Sequence, residues 1–255
     1  MRAIFTLAGK DLKNLLSSPM FYVVSGLCSV LWSYSYIRAL LMFAEKSRMY
    51  MQPGQDGGMN LQREVFMMHI SQINLLYVFV VPALTMRLLA EEKRMRTYDL
   101  LLTSPVSATE IAVGKFLAGL GAVSVLTAIS FLYPLLTRAV AEYPMLPLLS
   151  AYAGVILVSA AYVGVGLFAS SLTESVMLSV ILGLIFNIML WFISQGAGTD
   201  NMPMVTAVLE YMSLGQHFLN FIMGAVKLSS LVFFASVIGL FVFLTQRVVE
   251  SSRWR

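Results

Sequence analysis

The chain has 255 residues, of which 58% are hydrophobic and only 12% charged, and its mean hydropathy is +0.80. That is about half the charge of a soluble globular domain, so a water-soluble fold, disorder, a collagen-like repeat and a coiled coil are all excluded. The net charge of +4 calls for no nucleic acid, since membrane proteins gather basic residues beside cytoplasmic loops, and the lone Cys28 excludes a disulfide framework or a cysteine zinc site.

What remains is an all-α polytopic membrane protein forming a single permease-sized domain. Residues 1–18 come first. Ile4, Phe5, Ala8, Leu12, Leu15 and Leu16 share one helical face, while Arg2, Thr6, Lys10, Lys13 and Asn14 lie mostly elsewhere. The pattern is that of an N-terminal interfacial amphipathic helix, or else of a basic flank with incidental periodicity. Ser18 and Pro19 then cap and open the first span. Spanning helices need roughly 20 apolar residues, and six stretches qualify: 19–42, 70–89, 112–136, 146–170, 175–194 and 228–245. Strands would alternate in polarity, so helices are the only reading.

Between the first two spans, the loop carries Met49, Met51, Met59, Met67, Met68 and His69 around a Pro53-Gly54-Gln55-Asp56-Gly57-Gly58 turn. Paired thioethers such as Met49 and Met51 can bind Cu(I), but in a chain with 17 methionines packing is the better account, and no metal site is assigned. With the N-terminus inside, Arg2, Lys10, Lys13, Arg87, Lys93, Arg94, Arg96, Lys115, Arg247, Arg253 and Arg255 fall on the cytoplasmic side. Only Arg38, Lys46, Arg48, Arg63, Arg138 and Lys227 fall outside, which places both termini in the cytoplasm.

The loop at 90–111 is short, dense in both charge signs, and holds the apolar triplet Leu100, Leu101 and Leu102. Ser107 with Glu110 forms a capping box for the third span, and Pro105 ends whatever helix precedes it. Residues 96–103 leave room for about two helical turns parallel to the membrane, exposing the leucine triplet in a charged frame. Such a knob suits docking on a soluble partner; a stop-transfer cluster anchoring helix ends is the alternative.

Several chemistries are missing. No G-x-x-x-x-G-K-[ST] loop is present, since Gly9-Lys10 precedes Asp11 and Gly114-Lys115 precedes Phe116. His69 and His217 stand apart from other ligands, and no G-x-S-x-G elbow occurs, so no catalytic residue is assigned. With Lys115 counted among the boundary cations, the span interiors read as free of Asp, Glu, Lys and Arg, which argues against an ion-coupled carrier. Energy is expected to come from another chain.

The stretch from Glu91-Glu92-Lys93-Arg94-Met95-Arg96-Thr97-Tyr98-Asp99-Leu100-Leu101-Leu102-Thr103-Ser104-Pro105 to Gly114-Lys115-Phe116 closely resembles the ABC-2 type of ABC transporter permeases. Lys10-Asp11-Leu12 through Ser17-Ser18-Pro19 resembles the opening of the same family, and Ser213-Leu214-Gly215-Gln216-His217-Phe218 its stretch before the last span. A narrower similarity is to the GldF-like gliding-motility permeases. The resemblance implies a type V exporter-like fold in a bacterial inner membrane. Two permease copies, or a permease and a related subunit, would pair with two ABC ATPase subunits that bind ATP and Mg.

On this resemblance the coupling helix maps to 96–103. Its contact residues would be Glu91, Glu92, Arg94, Arg96, Thr97, Tyr98, Leu100, Leu101, Leu102 and Thr103, with Thr173 and Glu174 as a second cytoplasmic contact. Thr173 serves equally well as the cap of the fifth span. The function so implied is export or outward movement of an unidentified substrate. The alternative is a non-transporting anchor that passes ATPase strokes to an accessory envelope or gliding partner.

Residues 195–227 are apolar but broken by Gly196, Gly198, Pro203, Gly215 and Gly224. The resemblance suggests two short re-entrant helices there; the pattern alone allows an amphipathic outer loop or a seventh span. Small residues at Ala160, Gly164, Gly166 and Ser170, and at Gly114, Ala118 and Ala122, allow close helix approach. Asn74 and Asn187 either bond across helices or face a central path.

Overall fold

A computed structural model describes residues 2–50, 60–193 and 203–253. The expectations at Met51, Met59, the 53–58 turn, Gly196, Gly198 and Arg255 lie outside the described residues. Ten α-helices follow in order: α1 Arg2–Leu16, α2 Pro19–Tyr50, α3 Met67–Arg94, α4 Tyr98–Thr103, α5 Ala108–Thr137, α6 Met145–Leu172, α7 Val176–Phe192, α8 Pro203–Met212, α9 Leu214–Ile222 and α10 Leu228–Ser252. A single π turn, Gln62–Phe66, leads into α3, and no strand occurs among the described residues.

Five helices (α2, α3, α5, α6 and α10) are long and apolar enough to cross a membrane. The fifth predicted span, α7, is a shorter apolar helix of 17 residues, about 25 Å at 1.5 Å per residue. In contrast α2 overshoots its predicted end and runs on to Tyr50. Burial sorts the spans: 78% of the apolar window of α6 is inside the protein, against 28% for α2 and 17% for α10. The core therefore sits on α6, with α3, α5 and α7 around it.

The local signals act as read. Phe21 donates its N–H to the Ser18 hydroxyl at 3.2 Å, opening α2 at Pro19. The capping box is complete: the Glu110 N–H donates to Ser107 Oγ at 3.2 Å, and the Ser107 N–H to Glu110 Oε2 at 3.0 Å. Thr173, however, does not cap α7. Its hydroxyl accepts from the Ser175 N–H at 3.0 Å, and Ser175 is the cap, accepting from Leu178 at 3.4 Å.

Small residues set the helix spacing. A Cβ on Gly166 of α6 would meet Thr85 Oγ1 of α3 at 2.2 Å, and one on Gly154 would meet Phe221 of α9 at 2.5 Å, so these side chains pack directly on the α6 backbone. Ser170 goes further. Its hydroxyl accepts the α3 N–H groups of Leu89 and Ala90 at 3.2 and 2.8 Å and donates to the Met86 carbonyl at 3.2 Å, inserting into the α3 ladder.

Prolines inside spans leave carbonyls without helical partners, and neighbouring helices supply them. Pro82 frees the Val78 carbonyl, which accepts from Asn187 Nδ2 of α7 at 3.4 Å. Pro134 frees the Ser130 carbonyl, which accepts from the Tyr152 hydroxyl at 2.9 Å and His69 Nε2 at 3.3 Å. Asn74 Oδ1 accepts from the Tyr162 hydroxyl at 3.1 Å. Both membrane-depth asparagines thus bond across helices. His217 braces α8, α9 and α10: Nε2 donates to the Tyr211 carbonyl at 2.8 Å, and Nδ1 accepts from Ser230 at 3.0 Å.

Helix α1 departs from the expected division of faces. Ile4 and Leu7 lie against Gly114, and Leu12 lies against Gly121, so α1 runs along the first half of α5. Phe5, grouped by periodicity with the packed residues, is 69% exposed, whereas Asp11 is buried.

Candidate functional site

Two clusters of charge lie at the end of the bundle where α3 hands over to α4. The first is buried. Lys115 shares its face of α5 with Ile111, Ala118 and Ala122, and all four are fully inaccessible. Its ammonium lies 3.1 Å from Asp11 Oδ2 on α1 and 2.7 Å from Glu92 Oε2 on α3. A cation taken out of water at this cost persists only when paired, so the triad ties three helices at one point.

Lys115, counted in the sequence simply among the boundary cations, stands about two turns inside α5, buried and paired. The signal that was missed is periodic: a lysine on the apolar stripe of a helix needs an acid from a neighbour. Beside the triad a cavity of about 590 Å³ separates α1 from α3 and α4. Lys10, Asn14, Arg87, Glu91 and Leu100 are among its walls, and Arg87 Nε donates to Glu91 Oε2 at 2.8 Å.

The second cluster is exposed. Helix α3 ends in a Schellman turn: the Thr97 N–H donates to the Glu92 carbonyl at 3.0 Å, and the Arg96 N–H to the Lys93 carbonyl at 3.1 Å. Glycine normally takes the left-handed position of this turn. Here Arg96 takes it, with φ 57°, the one non-glycine residue at positive φ among the described residues. Arg94 and Arg96 are both exposed, and neither makes an ion pair among the described residues.

Helix α4 is held from beneath. Lys93 donates to the Ser171 carbonyl of α6 at 2.5 Å while its Nζ sits 5.1 Å from the Tyr98 ring centroid, tying α3, α4 and α6 together. Burial pushes the Tyr98 phenol up, keeping it neutral. Leu101 and Leu102 pack on a platform of Ala108, Ile111 and Val249, from α5 and α10. The expected exposure of the whole leucine triplet is therefore corrected: Leu100 alone is free, at 72%. Thr103 donates back to the Asp99 and Leu100 carbonyls at 3.1 and 3.2 Å, and the chain turns away at Pro105.

The two contact regions read separately in the sequence line one groove of about 990 Å³. Arg94, Arg96, Tyr98, Asp99 and Leu102 form one wall, and Thr173, Glu174 and Ser175 the other, with Ser252 of α10 between them. Packing of α3 on α6 brings these ends together. Glu91, Glu92, Thr97, Leu100 and Leu101 line the cavity on the α1 side instead, and Thr103 lines neither.

The family model described as ABC-2 family transporter protein matches residues 5–254. The chain belongs to that family. It is thus a membrane permease component of an ABC transporter, a subunit type that is generally non-catalytic and associates with an ABC ATPase. No curated protein matches the chain.

Proposed function

We propose that an ABC ATPase docks on the exposed Leu100 of α4 and on the adjoining groove between α4 and the α6–α7 connection, and that ATP turnover there drives export of a substrate through a pair of permease subunits. The observation that supports this reading most is the arrangement at α4: Leu100, Arg94 and Arg96 are exposed without an ion pair among the described residues, while Tyr98, Leu101 and Leu102 hold the helix to α3, α5 and α10. A partner pressing on α4 moves a rigid unit. Load passes into α3, whose ladder is already interrupted at Pro82 and by Ser170, and into α1 through the Asp11–Lys115–Glu92 triad.

In this reading α4 and both termini face the cytoplasm of a bacterial inner membrane. ATP and Mg are held by two copies of the partner ATPase. Helix α9, seated against α6 through Phe221 and Gly154, dips with α8 into the opposite leaflet as a re-entrant cap. The narrower likeness to GldF-like gliding-motility permeases rests on the sequence motifs.

The test is co-purification of the tagged chain with its ATPase from a native membrane, followed by Leu100→Glu. That single change is expected to abolish ATPase capture while leaving the melting temperature of the permease unchanged. Retained capture overturns the docking assignment. Capture without ATP-dependent transport in proteoliposomes favours the non-transporting anchor instead.

A further inference from the structure

The outward face of α1 carries charge that the folded chain leaves unmatched. Arg2, Thr6, Gly9 and Lys13 recur at the i, i+4, i+7, i+11 spacing of one helix side; all four are exposed, and Lys10 is exposed beside them. The helix contains a single acid, Asp11, and that acid is turned inward and paired with Lys115. Lys10 also edges the cavity beside α3 and acts electrostatically on Glu92, but it makes no ion pair among the described residues. The acids there have closer partners, Glu91 in Arg87 and Glu92 in Lys115. The free face is therefore purely cationic, and Phe5 extends from its flank at 69% exposure.

Topology fixes where this face must lie. The membrane-length helix α2 begins at Pro19, directly after α1 ends at Leu16, so α1 cannot leave the water–bilayer boundary. At that boundary the counter-charges are lipid phosphates. We propose that the outward face of α1 is a binding surface for anionic phospholipid headgroups. Arg2, Lys10 and Lys13 contact the phosphates, and Phe5 enters the acyl boundary. A headgroup bound there bears on the triad, because Asp11 stands on the opposite face of the same turn as Lys13 and Lys10.

The test uses the whole permease in nanodiscs of phosphatidylcholine with a minor fraction of phosphatidylglycerol, without ATPase. Lipid retained on the extracted protein is measured by native mass spectrometry. The wild type is expected to enrich phosphatidylglycerol at least threefold over the bulk, and the enrichment should fall with added salt. Arg2→Gln/Lys10→Gln/Lys13→Gln should return the ratio to that of the bulk, while Arg2→Lys/Lys10→Arg/Lys13→Arg keeps it. Arg138→Gln/Lys227→Gln, which removes two exposed cations from the other end of the bundle, should have no effect.

A thermal melt of each variant separates lost binding from lost fold. Enrichment that survives in the folded triple-glutamine variant overturns the proposal. So does an equal loss in the Arg138/Lys227 pair. A triple-glutamine variant that keeps its lipid but loses ATPase capture assigns the face to the protein partner instead.

Discussion

Glu92 and Arg94 are two residues apart on α3, and their charges meet opposite fates. Glu92 is turned into the bundle against the Lys115 ammonium; Arg94, with Arg96 after it, projects into solvent with no ion pair among the described residues. A charge sealed inside holds the fold, and a charge left outside is available to another molecule. The same element thus supplies a weld and a contact within one turn, and the two can be separated by mutation.

The largest effect is expected at the weld. Lys115→Ala leaves Asp11 and Glu92 facing each other in a buried site without a cation, which costs about 3–5 kcal/mol. The loss should appear as a lowered midpoint in thermal or SDS denaturation in detergent micelles. Lys115→Met/Asp11→Leu/Glu92→Leu, which removes all three charges, should recover most of it. A lysine that can be removed alone without cost would mean that the triad does not bind the three helices together.

A smaller break is expected where α6 enters the ladder of α3. Ser170→Ala removes the hydroxyl that serves two N–H groups and one carbonyl at a fully buried position. The cost should be about 1–3 kcal/mol in the same denaturation assay. Because α3 carries both charge clusters at its end, the variant should also loosen α4, which hydrogen exchange at residues 98–103 would report as faster exchange. Unchanged exchange there would disconnect the α3 break from the docking end.

Much of this architecture was legible in the sequence because its signals are local. Ser18-Pro19, Ser107 with Glu110, and Pro105 act within one turn of themselves, and apolar run length locates the spans. What was not legible depends on residues far apart in the chain. Asp11 and Lys115 are separated by more than a hundred positions, and nothing near either names the other. Which leucine of the triplet is free is decided by a platform drawn from α5 and α10, so the run looks uniform until the helices are packed. Ser175, not Thr173, caps α7 because the helix starts at Val176, and the cap is the residue just before it. The single groove likewise emerges only when α3 and α6 bring 94–102 and 172–175 side by side.

The exposed cluster provides the finest test, because at Arg96 backbone and side chain make opposite demands. An L-residue at φ 57° carries roughly 1 kcal/mol of strain that glycine avoids, and the glycine gain is partly offset by a freer unfolded chain. Arg96→Gly should therefore stabilise the permease by about 0.5–1 kcal/mol, whereas Arg96→Ala, which keeps the Cβ, should not. Both lack the guanidinium, so both should weaken ATPase capture to the same degree, with Arg96→Lys intermediate. A gain in stability together with a loss of capture would mean that arginine is kept at a strained position for its partner. If Arg96→Gly instead captures the ATPase as well as the wild type, Arg96 lies outside the interface, and the contact at this end of α3 contracts to Arg94 and Leu100.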